Sequence, residues 1–309
     1  MLRIVKPKNA RSKRALEKRE AQVVENVKTC LFVKGSKTSE IVNKALNDLY
    51  LLKKPDAIKF NKKNELRPFE DETKLEFLSK KNDASLMLFG SHSKKRPDNL
   101  TFVTFFNYCI YDMIEVGIQK AKFMDEFEGL KCGVGLKPSF LFNGEEFEQV
   151  EGYIKFKTLI LNFFHGKVVD RIDLAGLEHV ITVTASPTKQ NENGLIHFRV
   201  YTIKTKKSGT KLPYIELNEM GPSLDFSIRR AKFADEEMVK QALRVPKELK
   251  PKKQKNHEHD EFGSLYGKVH MQKQDFGKLQ TRKMKGLKKS ISVPEEDNEE
   301  DNEGEDNEE

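Results

Sequence analysis

A mixed α/β fold in two similar halves is predicted for this 309-residue chain by three observations. Short β-branched and aromatic runs alternate with longer stretches of helical periodicity, the pattern of strands interleaved with helices. The order strand, helix, hairpin occurs twice, at about residues 28–124 and 137–236. Core-forming residues concentrate between Val27 and Ala234, although only 37% of the chain is hydrophobic and 34% is charged.

Each element has a local reason. Ala10 to Asn26 is charged and free of Gly and Pro, which predicts a helix with a thin apolar stripe of Ala15, Leu16, Val23 and Val24. Thr29 to Val33 is a short buried strand, and Gly35-Ser36-Lys37-Thr38-Ser39 makes the turn after it. Ser39 to Leu52 carries Ile41, Ala45, Leu49 and Leu52 on one helical face, and Pro55 ends it. Leu86 to Gly90 and Leu100 to Phe106 form a hairpin around the basic loop Ser91 to Asn99. Met113, Ile114 and Ile118 predict an amphipathic helix over Ile110 to Ala121.

In the second round Pro138 to Phe142 is a strand, and Tyr153 to Phe164 is an apolar helix stopped near Gly166. His179 to Thr184 and Ile196 to Ile203 form a hairpin whose turn holds Pro187 and Lys189 to Gly194. A short strand at Tyr214 to Glu219 precedes Gly221-Pro222 and the segment Leu224 to Arg230, and Ala234 to Arg244 is the last helix of this region. Lys247 to Lys255 is extended. Met271 to Lys289 forms a basic helix only on binding, because Gly277 and Gly286 each weaken it by about 1 kcal/mol relative to Ala.

Charge is distributed more informatively than its total. The net charge is +8, but Glu295 to Glu309 holds eleven acids and no base, so without that tail it rises to +19. Residues 1–20 carry eight Lys/Arg against two acids, and residues 247–289 carry thirteen against five. Between them the body has thirty-five against thirty. A mildly basic body with a basic arm at each end points to a polyanion, since every phosphate neutralised by Lys or Arg releases condensed counterions. The candidate contacts are Lys94, Lys95 and Arg96 at the hairpin tip, Lys206 and Lys207 after a strand, and Arg229 and Arg230 after Gly221-Pro222. Lys278, Arg282, Lys283, Lys285, Lys288 and Lys289 add the C-terminal segment. Arg can form two parallel hydrogen bonds to a phosphate, where Lys acts as a point charge. No aromatic RNA-recognition signature or helix-turn-helix is present, so backbone and RNA shape are the expected targets.

Catalysis has no visible apparatus. Gly35-Ser36-Lys37-Thr38 lacks the upstream glycine of a nucleotide-binding loop, and a Ser or Thr capping the helix that starts near Ser39 accounts for it, with one RNA phosphate held by this helix start, Lys34 and Lys37 as the minor reading. His257-Glu258-His259-Asp260 lies in a Lys-rich linker, the remaining histidines are scattered, and Glu145-Glu146 are neighbours on a loop. Neither a metal nor a cofactor is implied. Cys30, Cys109 and Cys132 lie far apart without Cys-x-x-Cys pairing, which speaks against structural zinc and a disulfide framework. No apolar run approaches the length of a membrane span. A soluble, intracellular protein with a nuclear address is expected.

Several stretches together resemble the Brix-domain ribosome-assembly factors. Ile215-Glu-Leu-Asn-Glu-Met-Gly-Pro-Ser-Leu-Asp-Phe-Ser-Ile-Arg-Arg230 is similar to the closing motif of that family. Arg11 to Glu20, Cys30 to Ser39, Leu88 to Leu100, Leu174 to Glu178 and Met271 to Lys289 match a branch of it. The resemblance implies a Brix domain of two pseudo-symmetric α/β halves and a nucleolar, non-enzymatic role. It implies a heterodimer with the regulator of ribosome synthesis protein, contact with large-subunit rRNA, and recruitment of 5S rRNA with its associated large-subunit ribosomal proteins. Four regions are expected on this basis: a basic arm at 1–27, a Brix domain at 28–236 with halves near 28–130 and 136–236, a basic extension at 237–294, and an acidic tail at 295–309. The competing expectation is a protein-interaction scaffold that does not touch RNA.

Overall fold

The first strand, β1 (Cys30–Gly35), is buried along almost its whole length because it runs between two parallel neighbours, β2 (Ala57–Asn64) and β3 (Leu86–Ser91). A strand covered on both faces reads as a continuous apolar run, as Cys30-Leu31-Phe32-Val33 does. The computed structural model describes residues 7–19, 23–169, 171–173, 176–186, 194–209, 213–250, 255–271 and 273. The chain divides into two units, Met1–Lys250 and Pro251–Glu309.

The first unit is organised by a ten-stranded mixed sheet. Its remaining strands are β4 (Asn99–Phe106), β5 (Cys109–Lys122), β6 (Ser139–Asn143), β7 (His179–Ser186), β8 (Leu195–Lys206), β9 (Tyr214–Glu219) and β10 (Ser223–Lys232). They lie in the order β2-β1-β3-β4-β5-β10-β8-β7-β6, with β9 paired to β8. The two halves mirror one another across the central antiparallel pair β5–β10. In the first, β1 is parallel to β3, and β3, β4 and β5 follow antiparallel. In the second, β6 is parallel to β7, and β7, β8 and β10 follow antiparallel. This is the repeated strand, helix and hairpin order, closed into one sheet.

Helices complete the layers. Ser39 starts α2 (Glu40–Lys53), its hydroxyl accepting from the Val42 N–H at 3.2 Å, which satisfies one of the orphan N–H donors at the helix start. Its buried stripe is Val42, Ala45, Leu46 and Leu49, one position away from the expected start, and Ile41 is exposed. Gly90 permits this approach, for a Cβ there would sit 2.5 Å from Val42 Cγ1. The helices α3 (Thr73–Asn82), α4 (Glu146–Gln149) and α5 (Glu151–Phe164) follow. α2 and α5 cover one face, packing Leu46, Phe156 and Phe163 on Phe102, Ile114, Phe198 and Phe226. Leu75 of α3 joins Leu31, Val33, Met87, Val103 and Met113 on the other face of the first half. On that same side of β8, His197, Arg199 and Tyr201 remain partly exposed, alternating with buried Ile196, Phe198 and Val200.

Several expectations need correction. Residues 110–121 are strand β5, not a helix. Asn107 and Tyr108 both have positive φ, 50° and 66°, and close a two-residue turn that pairs Phe106 with Cys109. Both faces of β5 are buried between Asp112 and Ile118, so the apolar residues show no alternation and imitate a helical stripe. The N-terminal helix α1 is shorter than expected, Ala10–Arg19, and residues 23–29 are not helical. β2 and α3 were not anticipated, because β2 is half exposed and Lys-rich and α3 is weakly amphipathic. Helix α6 covers Glu236–Ala242. In the second unit, His257–His259 pairs antiparallel with Leu265–Gly267 (β11 and β12), so this segment is a short hairpin and not an irregular linker. The expected turn at 187–193 and most of the 271–289 helix lie outside the described residues.

Two predictions follow from the core. Phe102 meets Phe156, Phe163 and Phe226 edge to face, with centroids 6.2, 5.2 and 6.4 Å away, joining β4 to α5 and β10. Phe102→Ala is expected to cost about 3–5 kcal/mol in urea unfolding, and a cost below about 1 kcal/mol would deny it that role. His179 is 3% exposed and its Nδ1 has no partner among the described residues. Burial holds its pKa below the ordinary histidine value, with Glu178 opposing. The unfolded chain therefore takes up the proton first, and stability is lost as pH falls below about 6.5 toward the lower folded value. Thermal melts of His179→Gln should show a flatter acid limb than the wild type.

Candidate nucleic-acid interface

The basic candidates fall on three parts of the fold. The loop between β3 and β4 is pinned from both sides. Ser93 and Arg96 exchange backbone hydrogen bonds of 3.0 and 3.2 Å, and the His92 N–H donates to the Lys37 carbonyl at 2.9 Å. Asp98, with φ of 45°, accepts from Ser39 Oγ at 2.5 Å and lies 3.1 Å from His92 Nδ1. The cap of α2 and the hairpin loop therefore share one carboxylate. Lys94 and Lys95 project from this anchored tip, exposed and without ion pairs among the described residues.

Arg96 turns back toward the sheet, where the structure brings it together with Arg229 and Arg230 of β10. All three surround Glu115 of β5, whose side chain is fully buried. Arg230 Nε donates to Glu115 Oε2 at 2.5 Å, its Nη2 lies 2.5 Å from the same oxygen, and its guanidinium is 4.1 Å from the Phe69 ring centroid. Arg96 Nε is 3.5 Å from Oε1, the oxygen that has no close hydrogen bond. Arg229 donates from Nη1 to Asn99 Oδ1 at 3.0 Å and lies over Gly117. Burial lowers the pKa of Arg229, while Glu115 and Asp98 act the other way. One acid and three bases from β5, β10 and the β3–β4 loop thus meet at the junction of the two halves.

A second network lies across β10 and β8. Asp225 Oδ1 accepts from Arg199 Nη2 at 2.6 Å and lies 2.7 Å from His197 Nδ1. Burial alone would raise the Asp225 carboxyl, but the two hydrogen bonds outweigh it and leave its pKa below the ordinary value. Lys206 and Lys207 are exposed at the end of β8, on the ribbon that β8 forms with β9. Lys206 is tied to Glu216 at 2.6 Å and joins neither arginine network. Lys278, Arg282, Lys283, Lys285, Lys288 and Lys289 lie outside the described residues.

Sequence reasoning selected the arginines as phosphate ligands and missed the acid that holds them. Glu115 was legible as one of two carboxylates, with Asp112, inside the largely apolar run Ile110 to Ile118, where burial of an acid demands a partner. Arg199 and Asp225 were missed because their partners are distant in sequence. Among the described residues no cluster of His, Cys, Asp or Glu could hold a metal ion, and no helix is long and apolar enough to cross a membrane.

Comparison with known proteins agrees with this architecture. The family model for the Brix domain matches residues 35–230. A ribosome production factor 2 homolog of Schizosaccharomyces pombe is 49% identical over 294 residues, covering 94% of this chain and 93% of the relative. The ribosome biogenesis protein RPF2 of Saccharomyces cerevisiae is 50% identical over 294 residues, covering 93% and 86%. A human ribosome production factor 2 homolog is 50% identical over 265 residues, covering 86% and 85%. With the strand, helix and hairpin order repeated around β5 and β10, and with similarity of this extent, the chain belongs to the Brix-domain family, in the group of ribosome production factor 2 homologues.

Proposed function

We propose that the chain is a non-enzymatic assembly factor of the large ribosomal subunit, acting in the nucleolus by holding rRNA and a companion protein at once. The observation that carries this is the charge layout in a chain whose relatives are named ribosome production factors. Basic residues are concentrated at the two ends and on anchored loops, while the body is nearly balanced. Each protein–phosphate contact releases counterions, so arms of this kind bind RNA with little sequence preference and leave register to the folded body. In the finer form of the proposal the body at 28–236, with halves near 28–130 and 136–236, docks the regulator of ribosome synthesis protein. The arms at 1–27 and 237–294 and the loops bearing Lys94, Lys95, Arg96, Lys206, Lys207, Arg229 and Arg230 contact large-subunit rRNA and the 5S rRNA particle. Lys278, Arg282, Lys283, Lys285, Lys288 and Lys289 of the C-terminal arm bind the same RNA.

Salt dependence tests this. The logarithm of the affinity for 5S rRNA should fall steeply with the logarithm of salt, by about 0.7–0.9 per phosphate neutralised, and deletion of residues 247–289 should flatten the slope. An unchanged slope would remove the C-terminal arm from the interface. Crosslinking in cells should yield direct RNA adducts, and their complete absence would favour a protein scaffold. The acidic tail at 295–309 competes with RNA for the arms, so truncation after Pro294 should tighten binding to unrelated RNA at low salt and have little effect near 0.5 M, where screening is strong.

A further inference from the structure

The meeting of three arginines on one buried carboxylate leaves an excess of both charge and hydrogen-bond donors. Three guanidinium groups face two carboxylates, Glu115 and Asp98, and Asp98 is already engaged by Ser39 and His92. A guanidinium carries five N–H donors. Among the described residues, hydrogen bonds take one donor from Arg229 and one from Arg230, while Arg230 Nη2 and Arg96 Nε stand 2.5 and 3.5 Å from the Glu115 oxygens as ion pairs. The remaining donors have no protein partner there. None of the three side chains is buried, and those of Arg96 and Arg230 are 43% and 37% exposed, so a ligand can reach them. Glu115, 0% exposed, cannot itself meet a ligand and acts only by fixing where the guanidiniums point.

We propose that Arg96, Arg229 and Arg230 form one phosphate-binding notch at the β5–β10 junction, with Glu115 as its positioning residue. The notch takes a phosphoryl group through parallel N–H···O bonds, which Arg offers in a fixed fork. Gly117 is part of the design. A Cβ there would lie 2.3 Å from the Arg229 Cζ and Nη2, so only glycine lets that guanidinium lie against β5. The notch is electrostatically distinct from the lysine arms, because its donors are held by the sheet and lose little freedom on binding. The natural source of the phosphate is an RNA backbone, and in this the inference rests on the function proposed above.

Gly117→Ala separates geometry from charge, since it displaces the Arg229 guanidinium without altering net charge. The full-length chain would be titrated with inorganic pyrophosphate at constant ionic strength, following the melting temperature, and in parallel with 5S rRNA. Pyrophosphate should stabilise the wild type. The apparent affinity should drop about tenfold in Gly117→Ala and in Arg96→Gln, and stay unchanged when the exposed Lys62 and Lys63 of β2 are both replaced by Gln. RNA affinity at fixed salt should fall in the first two variants. No stabilisation of the wild type by pyrophosphate, or equal stabilisation of wild type and folded Gly117→Ala, overturns the notch. Should Gly117→Ala fail to fold, Arg96→Gln, on an exposed loop, decides alone. RNA binding that persists untouched in these variants refutes the notch and leaves the assembly-factor function standing. Pyrophosphate stabilisation without any RNA binding refutes that function and identifies a site for free phosphate.

Discussion

A carboxylate with no solvent contact must be neutralised where it lies, and in this protein that requirement falls on Glu115. Breaking a buried pair costs roughly 3–5 kcal/mol, so the partners of such a group are not optional. They come from distant parts of the sequence: Arg96 from the first hairpin, and Arg230 from the last strand of the sheet. Satisfying one acid thus ties the β3–β4 loop and β10 to β5. The same demand gathers guanidinium groups on one side of the sheet.

That junction matters because the fold is two halves joined edge to edge. Without β5–β10 pairing, each half would leave a long antiparallel strand unpaired, an arrangement folded proteins avoid. The register between β5 and β10 shifts at Asp225/Phe226 and at Ile228/Arg230, and the second shift sits where consecutive arginines are needed on one side. On the opposite face the aromatic contacts of Phe102 with Phe156, Phe163 and Phe226 join the halves through apolar packing. Ion pairs on one side and rings on the other hold the same line of the molecule.

The division of charge follows from the same economy. A body of nearly balanced charge can pack, because its acids and bases find one another, as Asp225 does with Arg199 and Lys206 with Glu216. Long cationic segments cannot pack among themselves and are free to follow a polyanion. The anchored loop at Lys94 and Lys95 stands between the two regimes. Its lysine side chains are exposed, yet its backbone is fixed by Ser93, Arg96 and the carbonyl of Lys37.

Most of the fold was legible in the sequence, because its signals are local. The cap at Ser39, the two-strand periodicity of Leu86 to Phe106, the apolar face of Tyr153 to Phe164 and the repeated element order each depend on residues a few positions apart. The family motifs and the placement of charge were equally readable. β5 was not, since a strand buried on both faces loses the alternation that identifies strands, and its turn uses Asn107-Tyr108 in place of the usual Asn-Gly. The candidate site was half legible. The sequence determined which cations exist and that they concentrate toward the two ends. Only the tertiary structure decided that Arg96, Arg229 and Arg230 converge and that Lys206 stands apart. The cause is Glu115, an acid 115 positions from Arg230 in the chain and 2.5 Å from it in space, because burial of a charge selects partners by proximity in the fold and not in the sequence.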